Sequence, residues 1–217
     1  MRPLRIAIVA CTLWAAALSS PPVSATSAEE HPECFGGDHG ERRISGCTDL
    51  IQRPGIDAAT RSEAFAMRAL SYSLKGQYET AIRDYDQAIR IRPDFAIALN
   101  NRAWAYFKWG RGEHGLDDVE RSLRLDPSSY HSFDTRAHIR QWMGDTTAAM
   151  RDYEIAMRLG GERFIKLYQC GLAQAKLYSG PADGRYTQEV RQALLACVQR
   201  RDCDPLPPDE DCQPTTS

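Results

Sequence analysis

Little in this chain of 217 residues is present in excess, and each thing it is short of removes a class of function. Charge of one sign is the first. The 27 lysines and arginines stand against 29 aspartates and glutamates, a formal net charge of −2. A surface built for nucleic acid or acidic lipid carries a basic excess, and none is present. Long apolar stretches are the second. The one clear run goes from Ile6 to Leu18, short of the ~20 residues a membrane-spanning helix needs. Catalytic signatures are the third. After the apolar run there is no nucleophile elbow, phosphate loop, metalloprotease helix or paired-carboxylate motif, so a non-enzymatic chain without cofactor or metal is expected.

Cysteine is sparse too, seven in all, and its placement matters more than its number. Cys11 lies inside the apolar run, behind Arg2 and Arg5 and ahead of Val23-Ser24-Ala25. A basic start, a short apolar stretch and small residues at its end mark a secretory signal peptide, so residues 1–25 are expected to be cleaved after Ala25. Ile8-Val9-Ala10-Cys11 loosely resembles a lipid-attachment box, a weaker alternative because Cys11 sits within the run rather than at its end. Cleavage removes two basic residues and no acidic one, leaving 25 − 29 = −4. No integral membrane segment remains in the mature chain.

Six cysteines survive, an even number in a chain bound for the periplasm or the exterior, where disulfides persist. Cys34 pairs by position with Cys47. Cys170, Cys197, Cys203 and Cys212 form a C-terminal set in which Cys197 with Cys203 is the favoured pair. A Cys/His metal site using His31 or His39 is the rival at the N-terminal end, disfavoured by the oxidising compartment.

What is abundant is repetition. Gly76, Gly110 and Gly144 lie 34 residues apart, as do Ala69, Ala103 and Ala137; Phe65, Leu99 and Phe133; Tyr85, Val119 and Tyr153; and Ala88, Ser122 and Ala156. A fixed period of this size predicts stacked helical hairpins. Glycine falls just past each first helix, where a left-handed residue ends it, and Pro93 and Pro127 fall where the second helix must stop. Ala81, Gly115 and Ala149 recur at the same period, and small residues where two helices touch allow their backbones to approach closely.

These positions resemble the tetratricopeptide repeat family over about residues 61–161. The resemblance implies an all-α, right-handed helical-hairpin solenoid of three repeats, 61–94, 95–128 and 129–161, with a helical cap at each end. One series departs from the commonest family pattern. Arg68, Arg102 and Arg136 recur with Asp84, Asp118 and Asp152, each pair 16 apart. Across a hairpin this spacing predicts an ion pair inside each repeat. An arginine ladder gripping acidic ligands is the functional alternative, and the matched aspartates favour the structural one.

The family binds extended peptides or helices on the concave surface lined by its first helices. In this register the surface carries Leu70, Asn101, Trp104, Phe107, Lys108, His131, His138 and Trp142, a largely apolar floor suited to a protein or peptide partner. Trp104 and Trp142 serve equally well as packing. His131 and His138 lack a third ligand and are expected as surface residues of the groove. One family subgroup clamps a C-terminal carboxylate. Only Asn101 matches that clamp, while Ala66, Leu70, His131 and Thr135 depart from it, so the clamp is absent.

Residues 26–60 are expected to form a disulfide-stapled N-terminal capping helix ending at Pro54-Gly55. Residues 162–217 form a C-terminal cap with a Cys-rich tail. Within it Gln169, Leu172, Tyr178, Gly180, Asp183, Gly184, Tyr186, Thr187, Arg191, Ala193 and Leu194 resemble a peptidoglycan-binding-like helical module whose third helix is missing here. The same stretch also fits a fourth, solvating half-repeat. The functional expectation is a protein-interaction scaffold of the cell envelope. The alternative is a cell-wall accessory protein that contacts peptidoglycan through its C-terminal module.

Overall fold

The computed structural model describes residues 31–37, 40–200 and 202–206. The expected signal segment, with Cys11, and the tail cysteine Cys212 lie outside them, as does His39. Among the described residues every regular element is helical: α1 Pro32–Phe35, α2 Glu41–Gln52, α3 Ala58–Leu74, α4 Tyr78–Ile91, α5 Ala96–Lys108, a 3₁₀ turn Gly112–Gly115, α6 Leu116–Leu125, α7 Tyr130–Met143, α8 Thr146–Gln174 and α9 Gln188–Val198. None of these helices is long and apolar enough to cross a membrane.

The helices begin and end for local reasons. Asp57, Ser129, Asp145 and Thr187 each accept a backbone N–H of the first turn they precede, which satisfies donors that an α-helix leaves open. The first helix of each hairpin closes with one geometry. Gln77 N bonds Tyr72 O, Arg111 N bonds Tyr106 O and Asp145 N bonds Arg140 O, each at 2.9 Å. Between them Gly76, Gly110 and Gly144 turn left-handed with φ of 72°, 75° and 87°, where a Cβ would be strained. α8 is broken at Gly161 (φ 68°, ψ −160°), so its two halves act as the second helix of the third hairpin and the first helix of a terminal half-repeat. That half-repeat closes in the same way, Leu177 N on Leu172 O at 2.9 Å, with Lys176 at φ 59° in the turn.

Packing follows the small residues. A methyl group added at Gly115 would sit 2.8 Å from Ala103 Cα, so these two backbones touch with no room for a side chain. Leu99, Tyr85, Tyr153 and Val119 are fully buried between hairpins, and an aliphatic side chain buried in this way contributes roughly 1.5–3 kcal/mol. Consecutive helices pack on one another, and α5 also meets both α3 and α7. The first helices therefore line one shared face. At the N-terminal end a disulfide joins Cys34 to Cys47, and α2 covers α3 through Leu50 and Ala64.

Each repeat holds its arginine between its two helices. Arg68 meets Asp84 through Nε and Nη2 at 2.7 and 2.8 Å. Arg102 meets Asp118 at 2.6 and 2.7 Å, and Arg136 meets Asp152 at 2.8 and 2.8 Å. Two parallel bonds per pair fix the guanidinium plane and hence the spacing of the helices. Arg102 also reaches back to Asp86 of the preceding repeat at 2.6 Å.

Candidate partner-binding groove

The shared face of α3, α5 and α7 encloses a cavity of about 770 Å³. α3 supplies Leu70, Ser73 and Leu74; α5 supplies Ile97, Asn100, Asn101, Trp104 and Lys108; α7 supplies His131, Asp134 and Thr135. Leu74 and Ile97 stand 62% and 65% exposed at its lip, which leaves large apolar side chains facing water in a concave surface. The Lys108 ammonium lies 5.5 Å from the centre of the Trp104 ring, close enough for a cation–π attraction.

The floor is polar. The Ser73 hydroxyl, the Tyr85 hydroxyl and Asn100 Oδ1 are buried in it, and Ser73 and Asn101 are the hydrogen-bonding neighbours of the Tyr85 hydroxyl. Burial pushes that phenol's pKa upward, so it stays a neutral donor.

Of the residues expected in the groove, Leu70, Asn101, Trp104, Lys108 and His131 line this cavity. Phe107, His138 and Trp142 do not. They line a separate cleft of about 80 Å³ with Gln141, Asp202, Cys203 and Asp204. The physical reason is the segment after α9, which folds across this end of the shared face. A disulfide joins Cys197 to Cys203, and Cys170 is disulfide-bonded as well. The Gln141 amide donates to the carbonyls of Cys203 at 2.7 Å and Arg200 at 2.9 Å, while its oxygen accepts from the Tyr153 hydroxyl at 2.7 Å. Asp204 and Leu206 thereby become part of the cavity wall.

His138 is accordingly not the surface residue its register suggests; it is 3% exposed. Its Nδ1 lies 2.9 Å from the Asp134 carbonyl oxygen and its Nε2 3.0 Å from Asp204 Oδ1. Neither partner has a proton to give, so both ring nitrogens donate and the ring is an imidazolium. Burial works against that charge, but the carboxylates of Asp134 and Asp204 outweigh it and push the pKa up to about 9. For Asp204 burial raises the pKa, but the bond and charge of His138, the Leu206 backbone N–H and the Lys108 charge together outweigh it, so its carboxyl titrates below the usual range. Trp104, Phe107 and Tyr153 pack on the His138 ring with centroids 5.1 to 5.5 Å away. Asp134 also accepts from the Tyr168 hydroxyl.

Sequence reasoning did not single out Asp134, Gln141 or Tyr168 for these roles. Asp134 and Tyr168 lie 34 apart, so the repeat register carried a signal for that pair. Nothing in the register pointed to Asp204. The C-terminal loop is turned inward: Gln169 is fully buried, donating to Asp183 Oδ1 at 3.0 Å and Arg185 O at 3.1 Å and accepting from Gly184 N at 2.8 Å.

The fold is an all-helical solenoid of stacked hairpins, and residues 69–110 match the family described as TPR repeat. Serine/threonine-protein phosphatase 5 of Homo sapiens is 33% identical over 120 residues, 55% of this chain and 24% of its own. The Hsp70-Hsp90 organizing protein of Triticum aestivum is 32% identical over 82 residues, 38% of this chain and 14% of its own. The chain thus spans a quarter or less of the length of these relatives. Among solved structures MamA is similar at 14% identity and a TM-score of 0.48, covering 55% of this chain and 67% of that one.

Proposed function

We propose that the protein is a non-enzymatic scaffold of the cell envelope that holds a segment of a partner protein in the groove of α3, α5 and α7. The observation that carries this reading is a concave face whose apolar walls, Leu70, Ile97 and Trp104, stand beside polar Asn101 and Lys108, with Leu74 and Ile97 left exposed at the lip. A peptide offers both kinds of group, apolar side chains for the walls and amides for the polar side chains beside them. The likeness to the Hsp70-Hsp90 organizing protein is in keeping with a protein ligand. Envelope placement rests on the apolar run behind Arg2 and Arg5 and on the paired cysteines.

The test is affinity capture from envelope extract with the mature chain and with Trp104→Ala. A partner retained at least tenfold less by the variant, at unchanged helicity, supports the reading. Equal retention of every captured protein sinks it.

Contact with peptidoglycan through residues 162–217 is the second reading. It is favoured by Tyr186, an aromatic ring 39% exposed whose hydroxyl bonds Glu154 at 2.9 Å beside Arg191. Co-sedimentation with insoluble peptidoglycan that Tyr186→Ala abolishes would support it, and no co-sedimentation would remove it.

A further inference from the structure

We propose that Asp204–Leu206 is a built-in occupant of the partner groove, and that the external partner displaces it with the same chemistry: a carboxylate followed two residues on by an apolar side chain. This rests on the groove being the partner site and goes further by naming what it selects. The seat is cationic and buried at its base. His138, in the wall of the adjoining small cleft, presents Nε2–H to Asp204, which borders both the cleft and the groove, and both its nitrogens are committed as donors. Of the groups facing this imidazolium, Asp134 is its neighbour on the same helix, with the Tyr168 hydroxyl turned to that carboxylate. Tyr153 packs on the ring from α8, and Lys108 from α5 adds positive potential at Asp204. A carboxylate is what completes such a seat, because without one the Nε2–H would be a buried donor with no acceptor, while Asp134 engages the ring from its other side.

The geometry of the tail makes it exchangeable. The Asp204 side chain is still 44% exposed, so solvent reaches the seat from the open side. Pro205 is buried and Leu206 contributes to the wall of the 770 Å³ cavity that Trp104 also lines. Upstream, the loop is anchored by backbone carbonyls on Gln141 and by the Cys197–Cys203 bridge. Downstream of Cys203, the bond to His138 is the one hydrogen bond among the described residues that ties 204–206 to the helices, Leu206 N turning back on Asp204 itself at 3.0 Å. The anchor therefore stays in place when Asp204 and Leu206 leave.

The probe is a fluorescein-labelled peptide, Asp-Pro-Leu-Pro-Pro-Asp, matching residues 204–209, titrated by anisotropy against the full chain and its Asp204→Ala/Leu206→Ser variant. We expect the variant to bind at least tenfold tighter than the wild type. Replacing the first Asp of the peptide by Asn, or its Leu by Ser, should cost at least tenfold. Lys108→Glu, at an exposed position, should weaken binding in the same background without loss of helicity. Equal affinity of wild type and variant, or indifference to the Asp-to-Asn change, overturns the proposal. So does a wild-type dimer in sedimentation that the tail variant lacks, since the seat would then belong to a second copy's tail. Binding that survives Trp104→Ala in the variant overturns it as well. Loss of partner capture in Trp104→Ala with no effect of the tail variant leaves the groove reading standing and removes only this one.

Discussion

The His138 ring nitrogen and the Asp204 carboxylate meet at 3.0 Å although 66 residues of chain separate them. One lies on the first helix of the third hairpin and the other beyond the last helix. Their bond folds the C-terminal segment back over the solenoid's recognition face and divides that face into an open cavity and a covered cleft.

The bond makes stability depend on pH. The folded pKa of His138 is raised from 6.5 to about 9, so its contribution is fully present below the unfolded value and is lost as pH rises through about 9. Between those limits the unfolding free energy should fall by up to ~1.4 kcal/mol per pH unit. Urea titrations at several pH values measure it, and Asp204→Asn should flatten the slope. A slope unchanged by that substitution would show that Asp204 does not set the ring's charge.

Arg102 lies between two carboxylates, Asp118 and Asp86, and is itself 19% exposed. Arg102→Met leaves Asp118 enclosed without a counter-charge. The expected loss is about 2–3 kcal/mol, reduced from the ~3–5 of a fully buried pair because water reaches this one. Arg102→Met with Asp118→Leu should recover most of it, which a double-mutant cycle by chemical denaturation would detect.

Two glycines in the same hairpin should fail for different reasons. At Gly115 a methyl group meets the Ala103 backbone at 2.8 Å, so Gly115→Ala must separate the helices, at about 1–3 kcal/mol. At Gly110 there is open space but φ is 75°, and Gly110→Ala costs about 1 kcal/mol of backbone strain. Enlarging the side chain to Leu, which is not branched at Cβ, separates the cases: position 115 should worsen steeply and position 110 only slightly.

The N-terminal cap depends on the Cys34–Cys47 bridge, which closes a separation of 13 residues. Loop-closure entropy assigns such a link about 3 kcal/mol. Cys34→Ser/Cys47→Ser should therefore loosen α2, seen as faster amide exchange confined to residues 41–67. Loss of protection spread evenly over all hairpins would mean the bridge secures the whole solenoid instead.

Much of this was legible in the residues. The 34-residue spacing of Gly76, Gly110 and Gly144 placed every hairpin turn, and the 16-residue offset of Arg68 from Asp84 put the two groups on facing helices. Both are local or nearest-neighbour relations, and a solenoid is built from such relations. The groove was half legible for the same reason. Leu70, Asn101 and Trp104 are set by the register of their own helices, so their direction follows from periodicity alone.

What only the tertiary structure decided lies with His138, Phe107, Trp142 and Asp204. Register aims the first three at the concave face, and there the sequence's authority ends, because a face shown by periodicity says nothing about what covers it. The covering segment joins through Gln141, whose amide bonds the Cys203 carbonyl across 62 residues of chain and obeys no period. Sequence by itself determined the repeat, its turns and its paired charges, since short-range sterics and capping specify them. The closed end of the groove, and the charge that His138 carries there, were decided only when a distant carboxylate and a buried ring were brought together in a medium too dry to leave either one unpaired.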